Sequence, residues 1–205
     1  MQRTDIMFDG IKVILASQSA RRKELIQYIF EDFEIIPSDA DETPPVGIDS
    51  EYIPEILAVR KATDVAKSHP DALVIGCDTV VILDGEIYGK PKSVEEAFVM
   101  LKRLSGRTHE VISGVCLSLR GKTMSFTQKT NVTFYPLSDG DIMRYITESD
   151  PLDKAGSYGI QDRGGLFVKS LEGDHYNVIG FPIARLKIEL ERFEKLMERN
   201  AHGTV

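Results

Sequence analysis

Cysteine is scarce in this chain: Cys77 and Cys116 are the only two in 205 residues, and neither stands in CxxC or CxxH spacing. That excludes a zinc knuckle and a disulfide framework. Long apolar runs are missing too, since no stretch approaches the roughly 20 residues that span a bilayer. Basic charge is outnumbered, 25 Lys and Arg against 32 Asp and Glu, for a net charge of −7. Sequence-independent affinity for nucleic acid needs many Lys and Arg contacts to phosphate, so no stable nucleic-acid binding is expected. Neither an internal repeat nor a low-complexity linker divides the chain, and its length suits a single lobed domain over 1–205. Residues 1–10 read as a loose leader, with Asp5 and Asp9 where a secretory signal would be apolar. Residues 200–205 read as a frayed tail. The expected setting is cytoplasmic, away from membranes.

What is present centres on Lys12 to Ile26, KVILASQSARRKELI. Val13, Ile14 and Leu15 suit a buried strand, and Ser17, Gln18 and Ser19 make a polar turn. Ser19 is placed to cap a helix whose apolar residues, Leu25, Ile26, Ile29 and Phe30, recur at three- and four-residue spacing. Arg21, Arg22 and Lys23 fill the first turn, where cations face the positive end of the helix dipole at a cost of up to about 1 kcal/mol each. Either that end is simply solvated, or an anion held by the turn amides and the arginines reverses the sign. The second reading predicts that neutralising both arginines leaves the unliganded protein equally or slightly more stable.

Further along, Phe33 to Pro37 reads as a short strand. In the proline-stiffened loop that follows, Asp39, Asp41 and Glu42 are either a solvated turn or hard ligands for a divalent cation. A helix is expected over 51–68, capped by Ser50, with Pro54 tolerated in its first turn and Lys61 among small residues. Two apolar strands, 72–76 and 80–83, are expected on either side of Cys77-Asp78-Thr79. Asp78 then lies at a strand junction, either capping a turn or pairing with one lysine, or as a metal ligand or general base. Asp84-Gly85 signals a hairpin, and Ser93 with Glu96 a capping box that opens a helix to Leu104. Strands are expected over 109–119 and 123–135, then a Ser138-capped helix to Glu148. Residues 150–161 form a glycine-rich loop whose glycines allow backbone to approach a ligand. A strand over 165–171 follows, and 177–182 lead into a core-packing final helix.

These blocks, in this order, resemble the Maf family of nucleoside triphosphate pyrophosphatases. The likeness runs from about Lys12 to Leu190 through LASQSARR (15–22), the loop ending in Asp41-Glu42, Lys61, GCDTVV (76–81) and GKP (89–91). It continues through LSGRTHEVISGV (104–115), DKAGSYGIQ (153–161) and EGDHYNVIGFP (172–182). Ala20 departs from the family's usual proline, which should loosen the turn slightly without removing a functional group. The resemblance implies an α/β fold with a mixed, elongated central sheet, flanking helices and two lobes around a deep cleft, similar to inosine triphosphate pyrophosphatases.

It also implies hydrolysis of a nucleoside triphosphate between the α and β phosphates. In that reading Ser17, Arg21, Arg22, Lys61 and Lys90 hold phosphate, and Glu42 and Asp78 engage a divalent cation, Mg²⁺ or Mn²⁺. Asp78 is also the proton acceptor, while Arg21, Thr79 and Gln161 bear on substrate choice. DKAGSYGIQ looks like the branch acting on dTTP and UTP rather than the one acting on methylated guanosine triphosphates. The Gln161 amide offers the donor and acceptor that uracil or thymine would need, unless it is a plain surface glutamine. A homodimer is expected on the resemblance alone. The competing class is a regulator of septum formation that binds a partner, since the family's name comes from that association. Release of the terminal phosphate is the competing chemistry.

Overall fold

The computed structural model describes residues 8–202. In chain order its elements are β1 (Val13–Leu15), α1 (Ala20–Ile26), β2 (Glu34–Ile35), α2 (Ile53–Ser68), β3 (Leu73–Leu83), β4 (Glu86–Tyr88) and α3 (Val94–Leu104). They continue with β5 (Thr108–Leu119), β6 (Lys122–Phe134), α4 (Asp139–Glu148), β7 (Val168–Glu172), α5 (His175–Ile179) and α6 (Ile183–His202). The strands form one seven-stranded mixed sheet in the order β2-β1-β3-β5-β6-β7, with β4 also beside β3. β1 is parallel to β2 and β3, and the remaining pairs are antiparallel.

β3 organises the sheet. One of its edges pairs continuously with β5 from Val74 to Ile82. The other meets β1 only at Leu73 to Ile75 and β4 only at Val81 to Leu83. Between them, among the described residues, no strand pairs with residues 76–80 on that side. Each end of β3 has its own core. At the start, Leu15, Leu73, Ile75 and Leu117 pack under Phe181, Leu186, Leu190 and Phe193. On the opposite face Ile14, Val74 and Cys116 meet Ala58, Ala62 and Val65 of α2. At the far end Val81, Leu83, Val111 and Phe134 pack against Leu101 and Leu104 of α3 and Ile142 and Tyr145 of α4. Alternation along the strands sends successive side chains to opposite faces, so one sheet serves both lobes. The two-lobed α/β architecture expected from the sequence is therefore present.

Several local expectations need correction. β3 is a single strand of 11 residues, because Cys77, Asp78 and Thr79 keep their ladder with Val115, Gly114 and Ser113. Asp78 is mid-strand, not at a junction. Ser50 does not cap α2: it opens a 3-10 turn over Ser50–Tyr52 that leads into the helix, with Pro54 in the first turn as expected. Ser93 accepts from the Glu96 amide, but the Glu96 carboxylate turns to the Lys92 amide, leaving half a capping box. The full box is at Ser138 and Asp141. Residues 163–167 form a 3-10 turn before β7, and 175–179 form the short helix α5. Residues 1–7 of the expected leader and 203–205 of the expected tail lie outside the described residues. Phe8 is buried beside Phe193 and its amide donates to Glu194 Oε1 at 2.7 Å, so the leader's end is docked. α6 continues to His202.

Candidate functional site

The uncovered edge of β3 opens into a cleft of about 1050 Å³, walled by the turn after β1, by α2, by the segment after β4 and by the loop before β7. Two glycines set how closely its α2 wall lies on the sheet. A Cβ at Gly76 would lie 2.4 Å from the Ala58 carbonyl oxygen, and one at Gly114 would lie 2.2 Å from the Glu55 amide nitrogen. Only a side chain of hydrogen lets α2 approach the sheet so closely. That approach carries Lys61, buried on α2, over Asp78, which faces Gly114 across the ladder. Lys61 Nζ donates to Asp78 Oδ1 at 2.8 Å and to Glu42 Oε2 at 2.9 Å. One ammonium thus joins a helix, a strand and the acidic loop, three segments distant in sequence.

Arg22 is held differently from the sequence expectation. Its Nε donates to the Gly180 carbonyl at 2.9 Å and Nη1 to the Cys77 carbonyl at 2.8 Å and Ser17 Oγ at 3.2 Å. Its Nη2 donates to Thr79 Oγ1 at 3.1 Å. A guanidinium has five N–H groups, so one remains for a ligand. Arg22 fills the gap in the β3 edge, and it ties α1 and the Gly180 turn to the Cys77 carbonyl and the Thr79 hydroxyl on either side of Asp78. The helix dipole penalises its charge less than those acceptors stabilise it. Thr79 Oγ1 also lies 2.8 Å from Ser113 Oγ and 3.2 Å from the Gly180 carbonyl oxygen, so its hydroxyl is engaged within the protein. Ser17 Oγ accepts from the Ser19 amide, and the Ser19 side chain caps α1 as expected.

At the rim, Lys90 Nζ donates to Asp153 Oδ1 at 2.8 Å, and Arg21 Nη1 lies 3.6 Å from Asp153 Oδ2. Gln161 also lines the cleft. Its loop is positioned by packing. Gly156 has φ +66° and a Cβ there would meet Val81 at 2.9 Å, so this glycine lets the loop settle on β3 and not on a ligand. Tyr158 is buried, with its hydroxyl 2.7 Å from His109 Nε2 and its ring edge-on to Phe134.

The Maf-like protein family matches residues 12–193. The chain belongs to the Maf-like family. A dTTP/UTP pyrophosphatase of Bacillus cytotoxicus is 48% identical over 183 residues, covering 89% of this chain and 96% of that one. A dTTP/UTP pyrophosphatase of Bacillus cereus is 46% identical over the same shares. Among solved structures, the Staphylococcus aureus Ham1 protein aligns with a TM-score of 0.45 and 21% identity, over 60% of this chain and 71% of that one.

For this Maf-like chain, the donor set at the cleft floor fits a hard divalent cation. Glu42 and Asp78 offer carboxylate oxygens, and Asp78 Oδ2 and Glu42 Oε1 take no part in the Lys61 bonds. Among the described residues no group of three His, Cys, Asp or Glu side chains could hold a metal. Mg²⁺ commonly takes one or two carboxylates and completes its shell from water and substrate phosphate, which suits two acids in an open cleft. Of the residues singled out from the sequence, Ser17, Arg21, Arg22, Glu42, Lys61, Asp78, Thr79, Lys90 and Gln161 all line the one cleft. Sequence reasoning missed the use of Gly76 and Gly114 and the roles of His109 and Asp153. Only the Asp153-Lys154 pair had a visible signal, charge inside a glycine-rich loop.

Proposed function

We propose that this Maf-like protein hydrolyses dTTP and UTP, modified pyrimidine triphosphates included, to the monophosphate and pyrophosphate. The observation that carries this is the Lys61 ammonium bridging Glu42 and Asp78 on the open edge of β3, below a rim bearing Arg21 and Lys90. The name borne by its Bacillus relatives supports the substrate. Arg21, Lys90 and Lys61 would hold the triphosphate, with the Ser17 turn and the remaining N–H of Arg22 beside them. A Mg²⁺ or Mn²⁺ ion on Glu42 and Asp78 would neutralise phosphate charge as it develops. A water in line with the α-phosphorus attacks, and the bond to the α–β bridging oxygen breaks. The attacking water's proton passes to the Asp78 carboxylate, and pyrophosphate departs with the bonding electrons.

Gln161 would read the base. Its amide oxygen can accept from the ring N–H of uracil or thymine while its NH₂ donates to the adjacent carbonyl. A cytoplasmic setting is part of this proposal, and no helix among the described residues is long and apolar enough to cross a membrane. The test is a nucleotide panel with Mg²⁺ and product identification, on wild type and Gln161→Ala. Wild type should release pyrophosphate from dTTP and UTP in preference to CTP and purine triphosphates. The variant should lose that preference by about tenfold or more, the cost of an unmet polar partner. Release of terminal phosphate, or no turnover, would refute the reading; an unchanged UTP-to-CTP ratio would remove Gln161 from it.

A further inference from the structure

Five cationic side chains line the cleft: Arg21, Arg22, Lys61, Lys90 and Lys154. Arg22 is satisfied by carbonyl and hydroxyl oxygens, while the other four each have a carboxylate partner. Those carboxylates differ in what else they do. Glu42 and Asp78 face the cleft floor, where the reaction needs them. Asp162 partners Lys154 and also caps a 3-10 turn by accepting from the Gly164 amide, besides accepting from the Tyr145 hydroxyl. Among the described residues the Asp153 carboxylate contacts only Lys90 and Arg21, the two rim cations assigned to phosphate. Arg21 Nη2 also donates to the Asp153 backbone carbonyl at 3.3 Å, a bond that does not involve the carboxylate. The hydrogen bond from Lys90 opposes partial burial and, helped by the charges of Lys90, Arg21 and Lys154, holds the Asp153 carboxyl below the usual carboxylate range. It is therefore an anion at neutral pH.

We propose that the Asp153 carboxylate is an internal stand-in for substrate phosphate, occupying Arg21 and Lys90 between turnovers and competing with pyrophosphate for them. This rests on the pyrophosphatase reading of the cleft. Arg21 comes from α1, Lys90 from the segment after β4, and Asp153 from the loop after α4, so a carboxylate between the cations also links three walls of the cleft. An entering triphosphate has more charge and more acceptor oxygens than one carboxylate and displaces it. The shorter, departing pyrophosphate then meets a tethered competitor at the same two cations, which favours its release. The competitor is mild: Asp153 is 58% exposed at its side chain and Lys90 65%, so each pair is screened by solvent.

The alternative role, that Asp153 orients Arg21 and Lys90 for phosphate, predicts the opposite sign. Titration calorimetry of inorganic pyrophosphate with Mg²⁺ distinguishes them, on wild type, Asp153→Asn and Asp153→Glu, alongside KM for dTTP. Removing the carboxylate charge should tighten pyrophosphate binding about three- to tenfold, the scale of two exposed ion pairs, and lower KM. Asp153→Glu, which keeps the competitor, should stay near wild type. Equal or weaker pyrophosphate binding by Asp153→Asn, with wild type binding normally, would overturn this role alone. A wild type that neither binds pyrophosphate nor hydrolyses dTTP would overturn the parent reading with it.

Discussion

Asp78 owes its setting to the residues on either side of it, because Arg22 bonds the Cys77 carbonyl and the Thr79 hydroxyl while Lys61 bonds the Asp78 carboxylate itself. Two substitutions separate chemistry from scaffolding. Asp78→Asn keeps shape and removes the proposed proton acceptor, so turnover should fall by about 10² or more with the fold intact; a loss below threefold under saturating metal would exclude the catalytic assignment. Arg22→Gln should instead destabilise the unliganded protein, because the Gly180 and Cys77 carbonyls lose their donors. The expected loss is about 1–3 kcal/mol, a drop in Tm of roughly 3–10 °C for a chain of this size. Lysine should not rescue it, since one ammonium cannot reach the acceptors a guanidinium fork spans. Unfolding without nucleotide checks this, and an unchanged or raised Tm would return Arg22 to the helix-dipole account. The dipole account left these acceptors out for a physical reason: local sequence shows a cation at a helix start, but not a carbonyl 55 residues away that it bonds.

At the scale of elements, the site depends on how closely α2 lies on the sheet. Gly76 and Gly114 sit beneath it on neighbouring strands, two steps apart in register: Gly76 faces Cys116, and Gly114 faces Asp78. Gly114→Ala would push a methyl into the backbone at Pro54 and Glu55, where rigid chain cannot yield as a side chain would. The helix must shift, at about 1–3 kcal/mol, and Lys61 shifts with it. Both Tm and kcat for dTTP should fall; a lower Tm with unaltered kcat would show that Lys61 tolerates the displacement. The existence of most of these elements was legible in the sequence. Continuous apolar runs marked the buried strands, three- and four-residue spacing marked α6, and Asp84-Gly85 marked a turn whose two positive φ angles the structure bears out. The break expected in β3 was not there because polarity was taken as the end of a strand. Asp78 is polar because it faces a cleft made where β1 stops short of β4, and that gap is a product of pairing between remote segments.

The whole molecule keeps its two lobes together through β3, β5 and β6, and at the far lobe the loop that carries Tyr158 is anchored by a buried histidine. His109 is 1% exposed, stacks edge-on against Phe134 and shares a hydrogen bond with Tyr158, while its Nδ1 finds no partner. An imidazolium there would carry a second buried N–H with no acceptor. Burial accordingly pushes the imidazole pKa down to about 4. Tyr158, its titratable neighbour, is shifted upward by its own burial and stays neutral across the acid range. The sign follows from proton counting. Between an unfolded value near 6.5 and the folded value of about 4, the unfolded chain takes up a proton that the folded one refuses. Stability from His109 is therefore complete above that window, declines as pH falls through it, and changes no further below it. By pH 5 the loss should be about 2 kcal/mol. Carboxylates titrate in the same range, so the measurement is a difference: urea unfolding at pH 7.5 and pH 5 for wild type and His109→Gln. The glutamine can still bond Tyr158 but cannot titrate, so its loss on acidification should be smaller by about that amount. Equal losses in the two proteins would show that acid sensitivity resides elsewhere and that His109 is only a packing group.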